Sequence, residues 1–346
     1  GIRSAVWTAQ VLSGLTEQAP QFAQSLRLIS AVSGGSVGSL YYVDHLHAGA
    51  DSSELGQVVD RAGEGSLFAA AWGLTYPDLA RVLLPPAAPK TLDRGVALER
   101  LWDSRLLVPG ATLSQWAEEV AAGELPPLVM NATVAELGEP LRLAPLDIPE
   151  EWRGGAASGH GRALDCNPKA ATAARLSATF PWLTPMSRPH GNSTGFQLHL
   201  GDGGYYDNFG VTSALHWLEE LVLPTEREGA DPVVKKILQD RGVLLVLIRA
   251  SADGIDGQSE PVEPQPGWAS DAIGPVTTLV KVQGTTQLSR NEWELRQFAE
   301  LWLSQHDIRI EPFLFGLEAP VSLSWQLSES ELVQVERSWS DSDTAV

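Results

Sequence analysis

Among the nucleophilic residues of the chain, Ser36 has the most suggestive surroundings. It lies in Gly34-Gly35-Ser36-Val37-Gly38, a G-x-S-x-G pattern. Small residues on either side let the chain turn tightly enough to hold a serine hydroxyl clear of the backbone at a helix N-terminus. A serine hydroxyl is a poor nucleophile near neutral pH and needs a base within hydrogen-bond reach. Seven histidines are available, His45, His47, His160, His190, His199, His216 and His306, and none falls in a motif. His45 and His47 lie too far along the following helix to fold back, and His199 alternates with apolar neighbours, the pattern of a structural residue. Asp202 stands in Gly201-Asp202-Gly203-Gly204, at the end of a strand pattern, where glycines allow close backbone approach. Strand C-termini of a parallel α/β sheet gather at one edge, so Asp202 and Ser36 can meet there.

The elements that must position these residues follow from hydrophobic periodicity. The apolar run Leu26 to Val32 reads as a buried strand and Val37 to Leu46 as a helix, which places the glycines in a strand-to-helix turn. Before them, Ser4 to Leu15 is a helix with Ser4 as its cap. A polar helix over Asp51 to Arg61 leads to Ser66–Leu84, rich in Leu, Ala and aromatics and closed by Pro85-Pro86. That block reads either as core or cap helices or as an apolar lid that meets lipid.

Helices are expected over Leu98 to Leu106, Leu113 to Val120, Ala170 to Thr179 (stopped at Pro181) and Val211 to Leu223, and another through Trp293, Phe298, Leu301 and Trp302. A polar helix precedes the C-terminal tail. Strands are expected at Leu128 to Val134 and Phe196 to Leu200, and the continuously apolar Val243 to Ile248 is expected to be a buried parallel strand. Gly154 to Gly161 reads as a flexible loop rather than a phosphate cradle, since it lacks the Gly-Lys-Ser/Thr of a P-loop. Asp253 to Gly267 reads as an acidic, proline-rich surface loop. Alternating strands and helices predict an α/β fold in three layers, a mostly parallel central sheet with helices on both faces, and a helical insertion after the nucleophile helix. The expected organisation is one domain over 1–346. Residues 1–50 carry the first strand and elbow, 51–125 the helical cap, 126–250 the sheet core with Asp202, and 251–346 the acidic loop and C-terminal helices.

Composition narrows the function classes. At 346 residues, 43% hydrophobic and 19% charged, the chain has ample material for a core. A formal net charge of −19 argues against nucleic acid as a partner and against electrostatic attraction to an anionic membrane, though not against apolar insertion. The single cysteine, Cys166, rules out an intrachain disulfide framework and reads as a structural thiol. Asn131-Ala132-Thr133 and Asn192-Ser193-Thr194 fit the glycosylation acceptor pattern and are taken as incidental. No metal-ligand spacing occurs, so neither metal nor other cofactor is expected. The chain opens at Gly1-Ile2-Arg3-Ser4 without methionine or a signal-peptide pattern. It is expected to be part of a longer parent, cytoplasmic or peripheral to a membrane, with room for a membrane segment upstream.

The combination of a Gly-Ile-Arg-Ser opening, a G-G-S-V-G elbow, Asn131-Ala132-Thr133, Arg175-Leu176-Ser177-Ala178-Thr179-Phe180-Pro181 and Asp202-Gly203-Gly204-Tyr205-Tyr206-Asp207-Asn208 strongly resembles the patatin-like phospholipase family, related to cytosolic phospholipase A2. The resemblance spans nearly the whole chain. It implies a serine acyl hydrolase acting on lipid esters, with a membrane surface as the source of substrate. Catalysis would use a Ser-Asp dyad, Ser36 attacking the carbonyl and Asp202 carrying the proton, with Gly34, Gly35, Gly38, Gly203 and Gly204 supporting the turns. Relatives hold the oxyanion with backbone N–H groups of a Gly-Gly-Gly-x-Arg/Lys loop. Gly1 matches the last of those glycines, so Gly1 and Ile2 are a partial oxyanion hole and Arg3 a supporting residue. Two other readings stand beside this one, a Ser-Asp-His triad using a late histidine such as His306, and a lipid-binding or regulatory module that has lost catalysis. Lipid class and oligomeric state are not given by the residues.

Overall fold

The structure, a computed structural model, describes residues 1–83, 93–146, 167–179, 186, 199–222, 232–250, 268–317, 319, 321 and 325–343; side chains at 81, 82, 268–285, 288 and 343 fall outside that description. So do several features read from sequence: Pro85-Pro86, the Gly154 to Gly161 and Asp253 to Gly267 loops, Cys166, Pro181, Asn192 and the first residues of the strand expected from Phe196.

In chain order, α1 (Ile2–Gln18) and the short α2 (Gln21–Ser25) lead into β1 (Ile29–Val32), which is followed at once by α3 (Gly34–His47). A cap of helices comes next: α4 (Gly56–Gly63), α5 (Leu67–Gly73), a π-helical turn (Leu74–Asp78), α6 (Leu79–Leu83), α7 (Arg94–Ser104) and α8 (Leu113–Ala122). Then come β2 (Leu128–Val134), β3 (Glu139–Leu143), α9 (Ala170–Ser177), β4 (Leu200–Asp202), α10 (Val211–Val222), α11 (Pro232–Arg241), β5 (Val243–Arg249), α12 (Trp268–His306), β6 (Ile310–Gly316) and α13 (Glu329–Asp343). The chain resolves into two compact units, Gly1–Gly210 with Ala319–Val346, and Val211–Glu318, where a single domain was expected.

The first unit is built on a four-stranded mixed sheet with β2 at its centre. All seven residues of β2 are buried. Its Asn131 is satisfied inside the core by donating to Ser30 Oγ at 3.1 Å and the Ala31 carbonyl at 3.0 Å, as burial of an amide requires. β3 lies antiparallel along one edge of β2. Two strands share the other edge. β1 runs parallel to Leu128–Asn131, ending with Val32 opposite Asn131, and β4 runs antiparallel to Ala132–Val134, ending with Asp202 opposite Ala132. The C-terminal ends of β1 and β4 therefore converge on neighbouring residues of one strand.

Helices α3 and α9 pack on this sheet, and α1 packs along α3. The α1–α3 approach is close enough that a Cβ on Gly38 would collide with the Ala5 carbonyl oxygen, and one on Gly34 with that of Gly1. In the cap, the buried Asp44 carboxylate of α3 pairs with Arg61 at 2.7 Å and accepts the backbone N–H groups of Leu107 and Val108. Its desolvation is compensated by three donors, and the turn after α7 is thereby fastened to α3.

The second unit holds a parallel β5–β6 pair and a core of Leu218, Val222, Trp302, Ile308 and Ile310. β5 was expected to be fully buried. It is parallel as expected, but most of its residues are only half-buried and Leu244 is exposed. A strand in a two-stranded pair is not enclosed as one in a wide sheet is, whatever its hydrophobicity. The fold class is α/β, as the strand–helix alternation predicted.

Candidate active site

The strand-to-helix turn is at Ser33, three residues before the serine singled out by the glycine pattern. β1 stops at Val32 and α3 starts at Gly34, leaving Ser33 alone between them with φ 54° and ψ −126°. A non-glycine residue in that region costs on the order of 1–3 kcal/mol and persists only where its surroundings enforce it. Such strain at a strand-to-helix turn is the signature of a nucleophile elbow.

Ser33 Oγ donates a 2.7 Å hydrogen bond to Asp202 Oδ2. The meeting follows from the sheet: Val32 and Asp202 face consecutive residues of β2, so the residue after Val32 comes up against the end of β4. Asp202 is itself fixed. Its Oδ1 accepts the Gly204 N–H at 2.9 Å, and its carbonyl accepts the Thr133 hydroxyl at 2.9 Å. The carboxyl is 5% exposed. Burial is the largest influence on it and raises its pKa, against the pull of the Ser33 hydroxyl and the Gly204 N–H.

Ser36, expected to pair with Asp202, occupies a different place. It is fully buried in the first turn of α3, and its Oγ lies 2.8 Å from Ser177 Oγ. Ser177 spends its own proton on the Asn131 carbonyl at 2.5 Å, so Ser36 is the donor in that pair. Ser177 also accepts the Ser33 N–H at 3.2 Å. One hydroxyl from α9 thus holds the elbow backbone, the first turn of α3 and the centre of β2 together. Ser33 was not among the residues picked out from sequence, and Ser177 entered only as part of the Arg175 to Pro181 motif, with no role given to it. The signal that could have found Ser33 is its position as the first residue after the apolar run of β1.

The remaining expected residues are also placed. Gly34 and Gly35 begin α3, and Gly203 and Gly204 form the turn after β4. Gly1 caps α1, its carbonyl accepting the N–H groups of Ser4 and Ala5, and it sits against Gly34. Arg3 reaches away from the elbow, one guanidinium nitrogen donating to the Val321 carbonyl at 2.8 Å. His199 lies 2.5 Å from Glu136 Oε1, and His306 packs edge-on against Trp302 within the second unit.

A small pocket is lined in part by Ser33. Gly1 and Gly34 line it beside Ser33, and the rest of the lining is largely apolar, including Ile2, Val37, Tyr41, Ala62, Trp102 and Trp325. Tyr41 is so enclosed that burial pushes its phenol up to about 12. A serine hydroxyl bonded to a buried carboxylate at the mouth of an apolar pocket can accept an acyl group from an ester whose chain lies in that pocket.

The sequence model of the family described as Patatin-like phospholipase matches residues 1–215, a span that contains the elbow, β2, α9 and Asp202. No curated protein matches the chain. The chain belongs to the patatin-like phospholipase family, and membership points to lipid acyl hydrolysis as its class of activity.

Proposed function

We propose that the chain is a serine acyl hydrolase that cleaves a carboxylic ester of a lipid through a Ser33–Asp202 dyad and a covalent acyl-enzyme. The observation that carries this reading is the 2.7 Å bond from Ser33 Oγ to Asp202 Oδ2 at a strained elbow. Asp202 takes the Ser33 proton as Oγ attacks the ester carbonyl carbon, giving a tetrahedral oxyanion. Collapse expels the alcohol, which receives the proton from Asp202, and leaves the acyl group on Ser33. Water then attacks the acyl carbon, gives a proton to Asp202, and releases the fatty acid as the proton returns to Ser33. Burial supports this role, because a carboxylate with a raised pKa is a stronger base than an exposed one.

The oxyanion develops at the N-terminus of α3, where the macrodipole favours negative charge. Gly34 lines the pocket beside Ser33, and as a first-turn residue its N–H has no partner within the helix. Gly1 and Ile2 line the same pocket and are the part of the glycine loop present beside the oxyanion. Ser36 and Ser177 act as supports that hold the elbow.

The test is covalent labelling of the full chain with a fluorophosphonate, followed by peptide mass spectrometry. The adduct is expected on Ser33, to persist in Ser36→Ala, and to be lost in Ser33→Ala. An adduct on Ser36, or none on wild-type protein, overturns the assignment.

A further inference from the structure

The cap carries a helical stretch whose amphipathic pattern is inverted. Across α5, the π-helical turn and α6, the inward face is made of small or constrained residues. Gly73 lies so close to the start of α7 that a Cβ there would collide with the Arg94 backbone, and Pro77 is buried. The large apolar side chains point outward: Phe68 is 83% exposed, Tyr76 62% and Leu83 66%, with Trp72 and Leu79 between them on the same stripe. Leu67 and Leu74 are exposed alongside. No charged residue occurs between Glu64 and Asp78, and Asp78 pairs with Arg94 at 3.4 Å. An exposed apolar surface of this kind, rimmed by charge, marks an interaction site.

We propose that this surface docks the enzyme onto a zwitterionic phospholipid bilayer, with the stripe from Phe68 to Leu83 seated among the acyl chains. This rests on the lipid-ester reading above and adds where the lipid is met. Three observations select a bilayer over a protein partner. First, the surface adjoins the proposed acyl pocket: Ser66, the residue immediately before α5, is buried and lines that pocket, and its hydroxyl accepts the Trp102 indole N–H at 3.0 Å. A lipid leaving the bilayer beneath α5 arrives at the pocket wall. Second, the Trp72 and Tyr76 rings sit together at 5.8 Å, and amphipathic rings of this kind favour the membrane–water boundary. Third, the net charge of −19 opposes an anionic surface, so binding must come from apolar insertion into a neutral one. Among the described residues no helix is long and apolar enough to cross a membrane, so the contact is docking.

The experiment uses the full chain and phosphatidylcholine vesicles. Flotation through a density gradient measures binding, and turnover of a water-soluble short-chain ester is read in parallel. Wild-type protein is expected to float, and Phe68→Glu and Leu79→Glu each to lower its partition at least tenfold, with thermal unfolding and soluble-ester turnover unchanged. Adding phosphatidylserine is expected to weaken binding at low salt. Variants that float as wild-type protein does, or wild-type protein that does not float, overturn the docking proposal. So does a wild-type dimer that the variants dissociate, which would make the stripe a subunit interface. Absent soluble-ester turnover in wild-type protein counts against the hydrolase reading alone, since flotation requires no catalysis.

Discussion

Ser33 and Asp202, 169 residues apart in sequence, are joined by a 2.7 Å hydrogen bond because the strands that carry them end on adjacent residues of β2. Exchange of Ser33 for alanine leaves that geometry and its strain in place but removes the nucleophile. Ser33→Ala is expected to lower kcat/KM on a lipid ester at least about a thousandfold. Ser36→Ala loses only a bond to Ser177 and is expected to stay within about tenfold of wild type, with a stability loss of about 1 kcal/mol. Steady-state kinetics and denaturant titration of the two variants decide between the serines. Equal loss in both would reject the assignment.

Asp202 links activity to pH. Its folded-state pKa is raised above the ordinary 3.8, chiefly by burial. The wild-type acid limb of kcat/KM is therefore expected to inflect above that value, because the base must be ionised. Stability runs the other way. A carboxyl raised in the folded state contributes stability that is fully present below its unfolded pKa and is lost as pH rises through its folded one. Asp202→Asn avoids that loss, so its Tm relative to wild type is expected to climb as pH rises above the ordinary carboxylate range, while activity is lost throughout. A constant Tm difference would show that Asp202 is not raised.

Ser177 makes three hydrogen bonds through one hydroxyl. Ser177→Ala leaves the Ser33 N–H, the Ser36 hydroxyl and the Asn131 carbonyl each short of a buried partner. The expected cost is about 2–3 kcal/mol in chemical denaturation, with kcat falling more than KM rises, because the elbow rather than the pocket is loosened. An unchanged kcat would mean that the elbow is held by packing alone.

On the proposed reading the pocket beside Ser33 receives the acyl chain. Ala62, on α4, is 3% exposed and lines the wall. Ala62→Leu is expected to lower kcat/KM for long-chain esters about tenfold or more relative to short-chain ones, read from a series of nitrophenyl esters. A uniform change along the series would place the chain elsewhere.

Much of this was legible in the sequence. A strand and the helix that closely follows it are where periodicity put them, and Asp202 ends a strand as read. The error was one of phase within the turn. The G-x-S-x-G pattern falls on Gly34 to Gly38, whereas the serine between strand and helix sits in Ala31-Val32-Ser33-Gly34-Gly35, with alanine in the first small position. Helix periodicity from Val37 onward also hid the fact that α3 begins at Gly34, which places Ser36 inside it. The antiparallel entry of β4 was not legible, because strand direction is a property of pairing. The half-buried state of β5 was hidden for a similar reason: hydrophobicity reports what a strand tolerates, and its neighbours decide what it receives.

The end-to-end arrangement of β1 and β4 on β2 also sets a schedule. A growing chain presents the Ser33 elbow early, but the base that activates it is made well over a hundred residues later and has no position until β2 is already paired. The capacity to attack ester bonds therefore appears only after the sheet closes. On the proposed Ser33–Asp202 reading, the order of the strands leaves the nucleophile without its base until β4 has paired with β2.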